Sequence, residues 1–218
     1  MHIFITGTDT EVGKTYVSCL FIRALRQAGI DAVGMKPISC GDRADAEALH
    51  AASDGVATLN EINPVWLRTP AAPYTAAMIE ERPIDLALIR DGFGRLKSAH
   101  EIVVVEGVGG WRVPVAQDYY ISDLAREWEL PVMVVAANKL GALNHTILTV
   151  EAVRQSGLNC LGVVWNDAVK DPATPATATN KAVFDSLVQV AITLGVNHDQ
   201  AALSQTDIAA LLSVVRQQ

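Results

Sequence analysis

A glycine-bounded loop near the start of the chain carries the residues with the clearest capacity for chemistry. The loop Gly7–Thr15 ends in Gly13-Lys14-Thr15, follows the apolar run Ile3–Ile5 and precedes a helical pattern. The backbone N–H groups of such a loop, together with the helix dipole, point at an anion. Lys14 would then reach the β- and γ-phosphates of a nucleotide, and the Thr15 hydroxyl would hold Mg²⁺. The pattern predicts a nucleoside triphosphate site, although five residues separate the two glycines where four are usual.

A lysine and a glutamate follow two other apolar runs. Lys36 comes directly after Ala32–Met35 and precedes Pro37, and Glu106 comes directly after Ile102–Val105. The carboxyl ends of parallel strands form the ligand-binding edge of a sheet, so both side chains are expected beside the phosphate loop. A lysine at this edge can neutralise charge on a transferring phosphoryl group, and an acid can bind Mg²⁺. Without that loop, a solvated lysine and an ordinary glycine turn would be the better explanations.

Three polar residues have interpretations that the sequence leaves open. Asp45 lies near the predicted start of a helix, where it could either interact with the helix dipole or bind a metal ion. Asn166 and Asp167 end the last clear apolar run. An Asn side chain has the donor and acceptor pair needed to recognise an adenine edge. All three are therefore candidate nucleotide contacts.

Short apolar runs alternate with helical patterns along the chain. The runs lack polar alternation, which is typical of strands covered on both faces. They are Ile3–Ile5, Ala32–Met35, Ile102–Val105, Val132–Ala137 and Leu161–Trp165. Helices are predicted at Tyr16–Ala28, Ala44–Ala52, Ile84–Leu96, Ile121–Trp128, His145–Gln155, Asn180–Gly195 and Thr206–Val215, and a mobile loop at Asp171–Thr179. The alternation predicts a three-layer α/β fold, with a mainly parallel sheet and helices on both faces.

The bulk properties favour a single domain that spans residues 1–218. A net charge of -7 without a basic cluster argues against nucleic acid as a partner. No apolar stretch approaches the ~18 residues of a membrane span, and the start of the chain lacks a secretion signal. The cysteines Cys19, Cys40 and Cys160 lack metal-ligand spacing. We therefore expect a soluble protein of the reducing cytoplasm that has no disulfide framework and does not bind membranes.

Five motifs occur in a characteristic order. They are the loop Gly7–Thr15 with its extra residue, Lys36-Pro37, Glu106–Trp111, Leu140–His145 and Trp165–Asp167. This set closely resembles the dethiobiotin synthetase family of the biotin pathway, over roughly residues 2–167. The resemblance implies a P-loop NTPase-like fold and a homodimer whose substrate site lies near the subunit boundary.

The resemblance also implies an ATP- and Mg²⁺-dependent cyclo-ligase that acts on 7,8-diaminopelargonic acid and CO₂ or bicarbonate. In that family one amine of the diamine forms a carbamate, which attacks the γ-phosphate of ATP to give a carbamic-phosphoric anhydride. The second amine then closes the ureido ring and expels phosphate. Phosphoryl transfer mainly requires positioning and charge neutralisation, which two lysines and Mg²⁺ would supply.

Matching the motifs residue by residue implies a role for each site residue. Lys36 and Lys14 would be catalytic, and Thr15, Asp45 and Glu106 would hold Mg²⁺. The nucleotide would contact Glu11, Val12, Gly13, Lys14, Thr15, Tyr16, Asp45, Glu106, Asn166 and Asp167. The diamine would contact Thr10, Gly107, Val108 and Gly109, and either Ser39 or Cys40 after the lysine-proline pair.

Two other protein classes share the phosphate loop. Cobyrinic and cobyric acid synthetases usually carry a glutamine-hydrolysing domain, which we do not expect in 218 residues. Partition and cell-division-site ATPases normally have an additional lysine near the start of the loop, and Ile5–Thr10 contain none. The order of the motifs therefore favours the ligase.

Overall fold

The computed structural model describes residues 2–167, 174–197 and 200–216 of the chain. The strands in these ranges are β1 (Ile3–Gly7), β2 (Ala32–Met35), β3 (Ile38–Cys40), β4 (Val65–Leu67), β5 (Ile102–Gly110), β6 (Pro114–Ala116), β7 (Tyr119–Tyr120), β8 (Val132–Ala137), β9 (Cys160–Asp167) and β10 (Ile192–Asn197). Six of them form one parallel sheet in the order β10-β9-β8-β1-β5-β2. β3 pairs with β4, and β6 pairs with β7, in two small separate sheets.

Helices connect the strands and cover the sheet. They are α1 (Lys14–Gln27), α2 (Ala44–Ala52), α3 (Leu59–Ile62), α4 (Pro73–Ile79), α5 (Leu86–Ala99), α6 (Ile121–Glu127), α7 (Ala142–Gln155), α8 (Pro175–Leu187) and α9 (Gln205–Arg216). All five residues of β1 are buried, and neighbouring side chains of a strand point to opposite faces, so both faces of the sheet are covered. Within the described ranges, no helix is both long and apolar enough to cross a bilayer.

The predicted α/β architecture is confirmed. All five predicted strands are present, and β2 and β8 have the predicted bounds. Gly29 and Gly157, which follow α1 and α7, both have a φ of 80°, a left-handed conformation that ends a helix most easily at glycine. α1 begins at Lys14, ahead of the predicted Tyr16, so the lysine of the loop is the first residue of the helix.

The carboxyl-terminal region differs from the prediction in two places. The predicted helix Asn180–Gly195 is wrong in its second half, because α8 ends at Leu187 and β10 follows. In β10 the burial alternates with a period of two, which is the pattern of an end strand with one covered face. The predicted mobile loop Asp171–Thr179 is wrong from Pro175, where α8 begins behind its N-cap Thr174. Residues 171–173 lie outside the described residues.

Candidate active site at the carboxyl edge of the sheet

The loop between β1 and α1 is shaped by close packing at both of its glycines. A Cβ on Gly7 would lie 2.7 Å from the carbonyl oxygen of Asp9, and a Cβ on Gly13 would lie 1.9 Å from Asn166 Nδ2. Gly13 has a φ of 88° and Glu11 a φ of 55°, so the loop turns through two left-handed residues before the helix starts. The first glycine therefore has a steric reason to be glycine even though it is displaced by one position.

Lys14 folds over this loop from the first turn of α1. Its Nζ donates to the carbonyl oxygen of Asp9 at 3.0 Å. Burial, followed by the positive charge of Lys36, lowers the pKa of Lys14 to about 8. The two lysines that the sequence singles out thus lie close enough to repel each other, which is the arrangement expected of two cations that share one anionic ligand.

Lys36 lies between two carboxylates, that of Asp45 in the first turn of α2 and that of Glu106 in the middle of β5. Its Nζ is 2.6 Å from Glu106 Oε1, 2.7 Å from Asp45 Oδ2 and 3.3 Å from the carbonyl oxygen of Gly107. Its side chain is only 3% exposed and that of Glu106 is fully buried. Burial alone disfavours the ammonium form, but the charges of Glu106 and Asp45 outweigh burial and raise the pKa of Lys36. Lys36 is therefore held as a buried cation.

Thr15 completes a cluster of oxygen atoms with the same two acids. Its Oγ1 lies 2.7 Å from Asp45 Oδ1 and 2.9 Å from Glu106 Oε1, although a hydroxyl has only one proton to donate. Glu106 Oε2 is buried and, in the part of the chain that the structure describes, has no hydrogen-bond partner. Burial opposes the charged form of Asp45, but Lys36 and Thr15 lower its pKa overall. More acceptor oxygens than donors therefore meet here.

The oxygen cluster fits the ligand preference of Mg²⁺. No group of three or more His, Cys, Asp or Glu residues suitable for a metal is found among the described residues. Mg²⁺, however, is usually bound through one or two carboxylates, with water and substrate phosphates as its other ligands. Two carboxylates, a hydroxyl and an unpartnered carboxylate oxygen match that requirement.

The residues predicted to contact the diamine adjoin this cluster from the loop after β1 and from the second half of β5, which continues to Gly110. Thr10 is exposed, and its N–H donates to Asp9 Oδ1 at 2.7 Å. A Cβ on Gly109, which has a φ of 59°, would lie 3.6 Å from Thr10 Cγ2, so the loop after β1 is in contact with the end of β5. Gly107 accepts from Lys36, and Val108 is half-buried. The structure therefore brings Thr10, Gly107 and Gly109 together near the two lysines.

Ser39 and Cys40 differ in accessibility. Ser39 is 3% exposed, and its hydroxyl oxygen has no hydrogen-bond partner in the described ranges. Cys40 is half-buried at the end of β3. Burial, followed by the charge of Glu80, raises the pKa of the Cys40 thiol to about 11, so the thiol is neutral near pH 7. Cys40 is the more accessible of the two, and its neutral thiol is unsuited to nucleophilic attack.

The remaining predicted nucleotide contacts lie on the other side of β1. Asn166, at the end of β9, is 1% exposed and donates from Nδ2 to the carbonyl oxygen of Val12 at 2.9 Å. The Tyr16 hydroxyl lies 2.6 Å from the carbonyl oxygen of Asn197. Asp167 Oδ1 accepts from Asn138 Nδ2 at 2.8 Å. Asn166 and Tyr16 thus connect the loop and α1 to the ends of β9 and β10, while Lys36 and Glu106 approach from β2 and β5.

Sequence analysis missed Asn63, which contacts the site through the backbone of Lys36. Asn63 follows α3 and donates from Nδ2 to the carbonyl oxygen of Lys36 at 2.8 Å. The local signal is the dipeptide Asn63-Pro64, which indicates a turn and says nothing about its partner. Contacts of this kind depend on which segments meet in space.

Comparisons with known proteins agree with the resemblance. A family model described as an AAA domain matches residues 1–205. The ATP-dependent dethiobiotin synthetase BioD of Akkermansia muciniphila is 48% identical over 199 residues, covering 91% of this chain and 93% of that protein. The protein of the same name from Aromatoleum aromaticum is 40% identical over 217 residues, covering 96% of this chain and 95% of the relative.

Solved structures support the fold. A plasmid partition protein from Borrelia burgdorferi matches with a TM-score of 0.55 at 13% identity, covering 99% of this chain and 98% of that one. The septum site-determining protein MinD of Pyrococcus horikoshii, complexed with Mg-ADP, matches with a TM-score of 0.51 at 15% identity, covering 91% and 82%. At such identities the likeness concerns the P-loop NTPase-like fold alone. The identity to the two curated relatives carries the stronger conclusion: the chain belongs to the dethiobiotin synthetase family.

Proposed function

We propose that this protein closes the ureido ring of dethiobiotin from 7,8-diaminopelargonic acid and CO₂, with Mg²⁺ present, and releases ADP and phosphate from ATP. The observation that carries the proposal is the contact of the buried Lys36 with the buried Glu106 and the half-buried Asp45, beside the loop that ends in Lys14-Thr15. Family membership supplies the substrate class.

The proposed reaction has three steps. An amine of the diamine adds to CO₂ and loses a proton, which gives a carbamate. A carbamate oxygen attacks the γ-phosphorus of ATP, and the P–O bond to ADP breaks, which leaves a carbamic-phosphoric anhydride. The second amine attacks the carbamate carbon and loses a proton, and the C–O bond to phosphate breaks. Each step needs alignment and charge stabilisation more than covalent help from the protein.

In this proposal Lys36 and Lys14 stabilise the negative charge that spreads over the transferring phosphoryl group. A fixed ammonium in a buried site is effective because it needs little reorganisation when charge develops. Lys36 has that character, since its side chain is 3% exposed and its neighbouring carboxylates keep it charged. Lys14 adds the second charge from the helix N-terminus, where the dipole also favours anions.

Thr15, Asp45 and Glu106 would hold Mg²⁺, which when bound neutralises phosphate charge. Thr10, Gly107, Val108 and Gly109, with Ser39 or Cys40, are the proposed contacts of the diamine, and the accessibility of Cys40 favours it over Ser39. Asn166 and Asp167 are the proposed contacts of the base. The remaining proposed nucleotide contacts are Glu11, Val12, Gly13 and Tyr16 of the loop and α1.

A direct assay tests the function. Purified protein is incubated with the diamine, bicarbonate, Mg²⁺ and one nucleoside triphosphate at a time, and the ureido product is detected by mass. We expect product with ATP, accompanied by an equal amount of phosphate, and no product without the diamine. Nucleotide hydrolysis without ureido product would contradict the proposal and favour a nucleotide-driven switch.

The quaternary structure and the location stay predictions. We infer a homodimer, and the exposed side chains of Leu140 (86%) and Leu148 (57%) support a contact surface along the first half of α7. Sedimentation of the protein with and without Leu148→Glu would test it, because a charge in the contact should shift the population to monomer. The free thiols of Cys19, Cys40 and Cys160 agree with the predicted cytoplasmic location.

A further inference from the structure

The backbone of Lys36 is held by the end of α3. The last pair of the β2–β5 ladder is Met35 with Val105, so Lys36 lies one residue beyond the sheet. Its N–H donates to the carbonyl oxygen of Ile62 at 2.8 Å, and its carbonyl oxygen accepts from Asn63 Nδ2 at 2.8 Å. Both backbone groups of the lysine therefore depend on residues 62 and 63.

Both the amide nitrogen and the oxygen of the Asn63 carboxamide form hydrogen bonds. Besides Lys36, Nδ2 donates to the carbonyl oxygen of Val65 at 3.0 Å, and Oδ1 accepts from Arg43 Nε at 3.0 Å. Asn63 is 2% exposed, so water cannot easily replace these partners. Only one orientation of the amide fits, because a flipped group would place its oxygen against two carbonyl oxygens.

Arg43 extends the connection to the second acid of the site. It immediately precedes α2, and Asp45 lies in the first turn of that helix. Arg43 Nη2 donates to the carbonyl oxygen of Asn63 at 3.0 Å, and Nη1 donates to Asn60 Oδ1 at 3.1 Å. The donor half of the Asn63 carboxamide thus binds the segment of Lys36, and its acceptor half binds the segment of Asp45.

We propose that Asn63 is a positioning residue that sets the place of Lys36 relative to Asp45, and that Arg43 acts with it. The two side chains that this connection brings together meet at 2.7 Å, from Lys36 Nζ to Asp45 Oδ2. A displacement of about 1 Å at a catalytic group can lower a rate by about a hundredfold. The kinetic part of this inference rests on the proposed function.

The sharpest variant is Asn63→Asp, which keeps the size and the acceptor for Arg43 but loses the two N–H donors. We expect kcat to fall about tenfold or more, while KM for ATP changes less than about threefold, because Lys14 and its loop are untouched. Asn60→Ala, in the helix that precedes Asn63, is the matched control: it removes a contact of Arg43 but none of Lys36, so kcat should stay within about twofold. Unchanged kcat in a folded Asn63→Asp protein would overturn the proposal.

Arg43→Gln provides a second route if Asn63→Asp does not fold. It should also lower kcat more than it raises KM for ATP, and adding Asn63→Ala should lower kcat by less than the product of the two single effects. A rise in KM for ATP and a fall in melting temperature at unchanged kcat would show a merely structural role and overturn the proposal.

A crystal structure of Asn63→Ala separates this inference from the proposed function. The distance from Lys36 Nζ to Asp45 Oδ2 should exceed about 4 Å, the limit of an ion pair. That result supports positioning even if the wild-type protein forms no ureido product, in which case only the proposed function fails. An unchanged contact would overturn positioning whatever the activity.

Discussion

Ion pairs of similar length lie in different surroundings at the two ends of the strands of the central sheet, here called its carboxyl edge and its amino edge. At the carboxyl edge, Lys36 and Glu106 meet at 2.6 Å with side chains 3% and 0% exposed. Near the amino edge, Arg90 and Glu127 meet at 2.8 Å with side chains 44% and 35% exposed, beside a groove of about 690 Å³. The buried pair loses hydration that its attraction hardly repays, whereas the exposed pair loses little and gains little. Distance alone therefore does not indicate what an ion pair does, and burial identifies the pair that needs a functional explanation.

Lys36→Ala should give one of the two largest losses of activity. Product formation should fall by about a thousandfold or more, because the variant removes a fixed charge that acts on the transition state. The dissociation constant for ATP should change less than about threefold, since Lys14 and the loop remain. Turnover and calorimetric titration with nucleotide measure the two quantities. An equal loss in both would mean that Lys36 is only a binding residue, and the contrast between the two edges would weaken.

Lys14→Ala should abolish ATP-dependent turnover and also weaken nucleotide binding. Lys14 lies at the helix N-terminus over the loop, where it would interact with the bound phosphates before and during reaction. Turnover and nucleotide affinity are measured as for Lys36. Retained turnover would count against the assignment of this lysine.

One glycine near each edge allows the effect of the same substitution to be compared at the two edges. Gly13 and Gly29 have φ angles of 88° and 80°, and alanine in such a conformation costs about 1 kcal/mol. A Cβ at Gly13 would collide with Asn166, whereas a Cβ at Gly29 would have no atom of the described residues within 4 Å. Gly13→Ala should therefore raise KM for ATP about tenfold or more. Gly29→Ala should lower the melting temperature by only about 2–4 °C and leave KM unchanged. Equal kinetic effects of the two variants would contradict this account of the loop.

His2 makes the amino edge sensitive to acid. Its Nδ1 accepts from the N–H of Val103 at 3.0 Å, which requires a neutral ring, and burial with nearby positive charge lowers the pKa of His2 to about 4. A depressed histidine pKa stabilises the fold above the unfolded value of about 6.5, and this contribution is lost as the pH falls from 6.5 towards 4. His2→Asn keeps an acceptor that does not titrate. Urea unfolding should show a smaller loss of stability over this pH range in His2→Asn than in the wild type, and identical losses would contradict the assignment.

The smallest effect is expected for Arg90→Gln. The variant removes an exposed ion pair, so the free energy of unfolding should fall by less than about 1 kcal/mol. Turnover should be unchanged because the pair contacts none of the proposed site residues. Chemical denaturation and the ureido assay measure both. A loss of activity here would show that the two edges are coupled.

Prediction from the sequence succeeded where the signal is local. Gly13-Lys14-Thr15 between an apolar run and a helical pattern specifies its own conformation, and the buried runs of β2 and β8 were found with their correct bounds. It failed at β10, where the short segment Ile192–Asn197 follows a helix without a glycine stop and, among the described strands, pairs only with β9, which precedes it in the chain. It also passed over β3 and β4, since three residues are too few to show a period.

The sequence by itself determined the α/β class, the phosphate loop and the order of its motifs, because these follow from residues that are near neighbours in the chain. Only the tertiary structure decided that Glu106 meets Lys36 across 70 positions of sequence, that Asn63 supports the lysine, and that Asn166 closes on Gly13. Ion pairing, burial and pKa depend on the distances between segments and on the exclusion of water. Both are set only when the folded sheet brings the segments together.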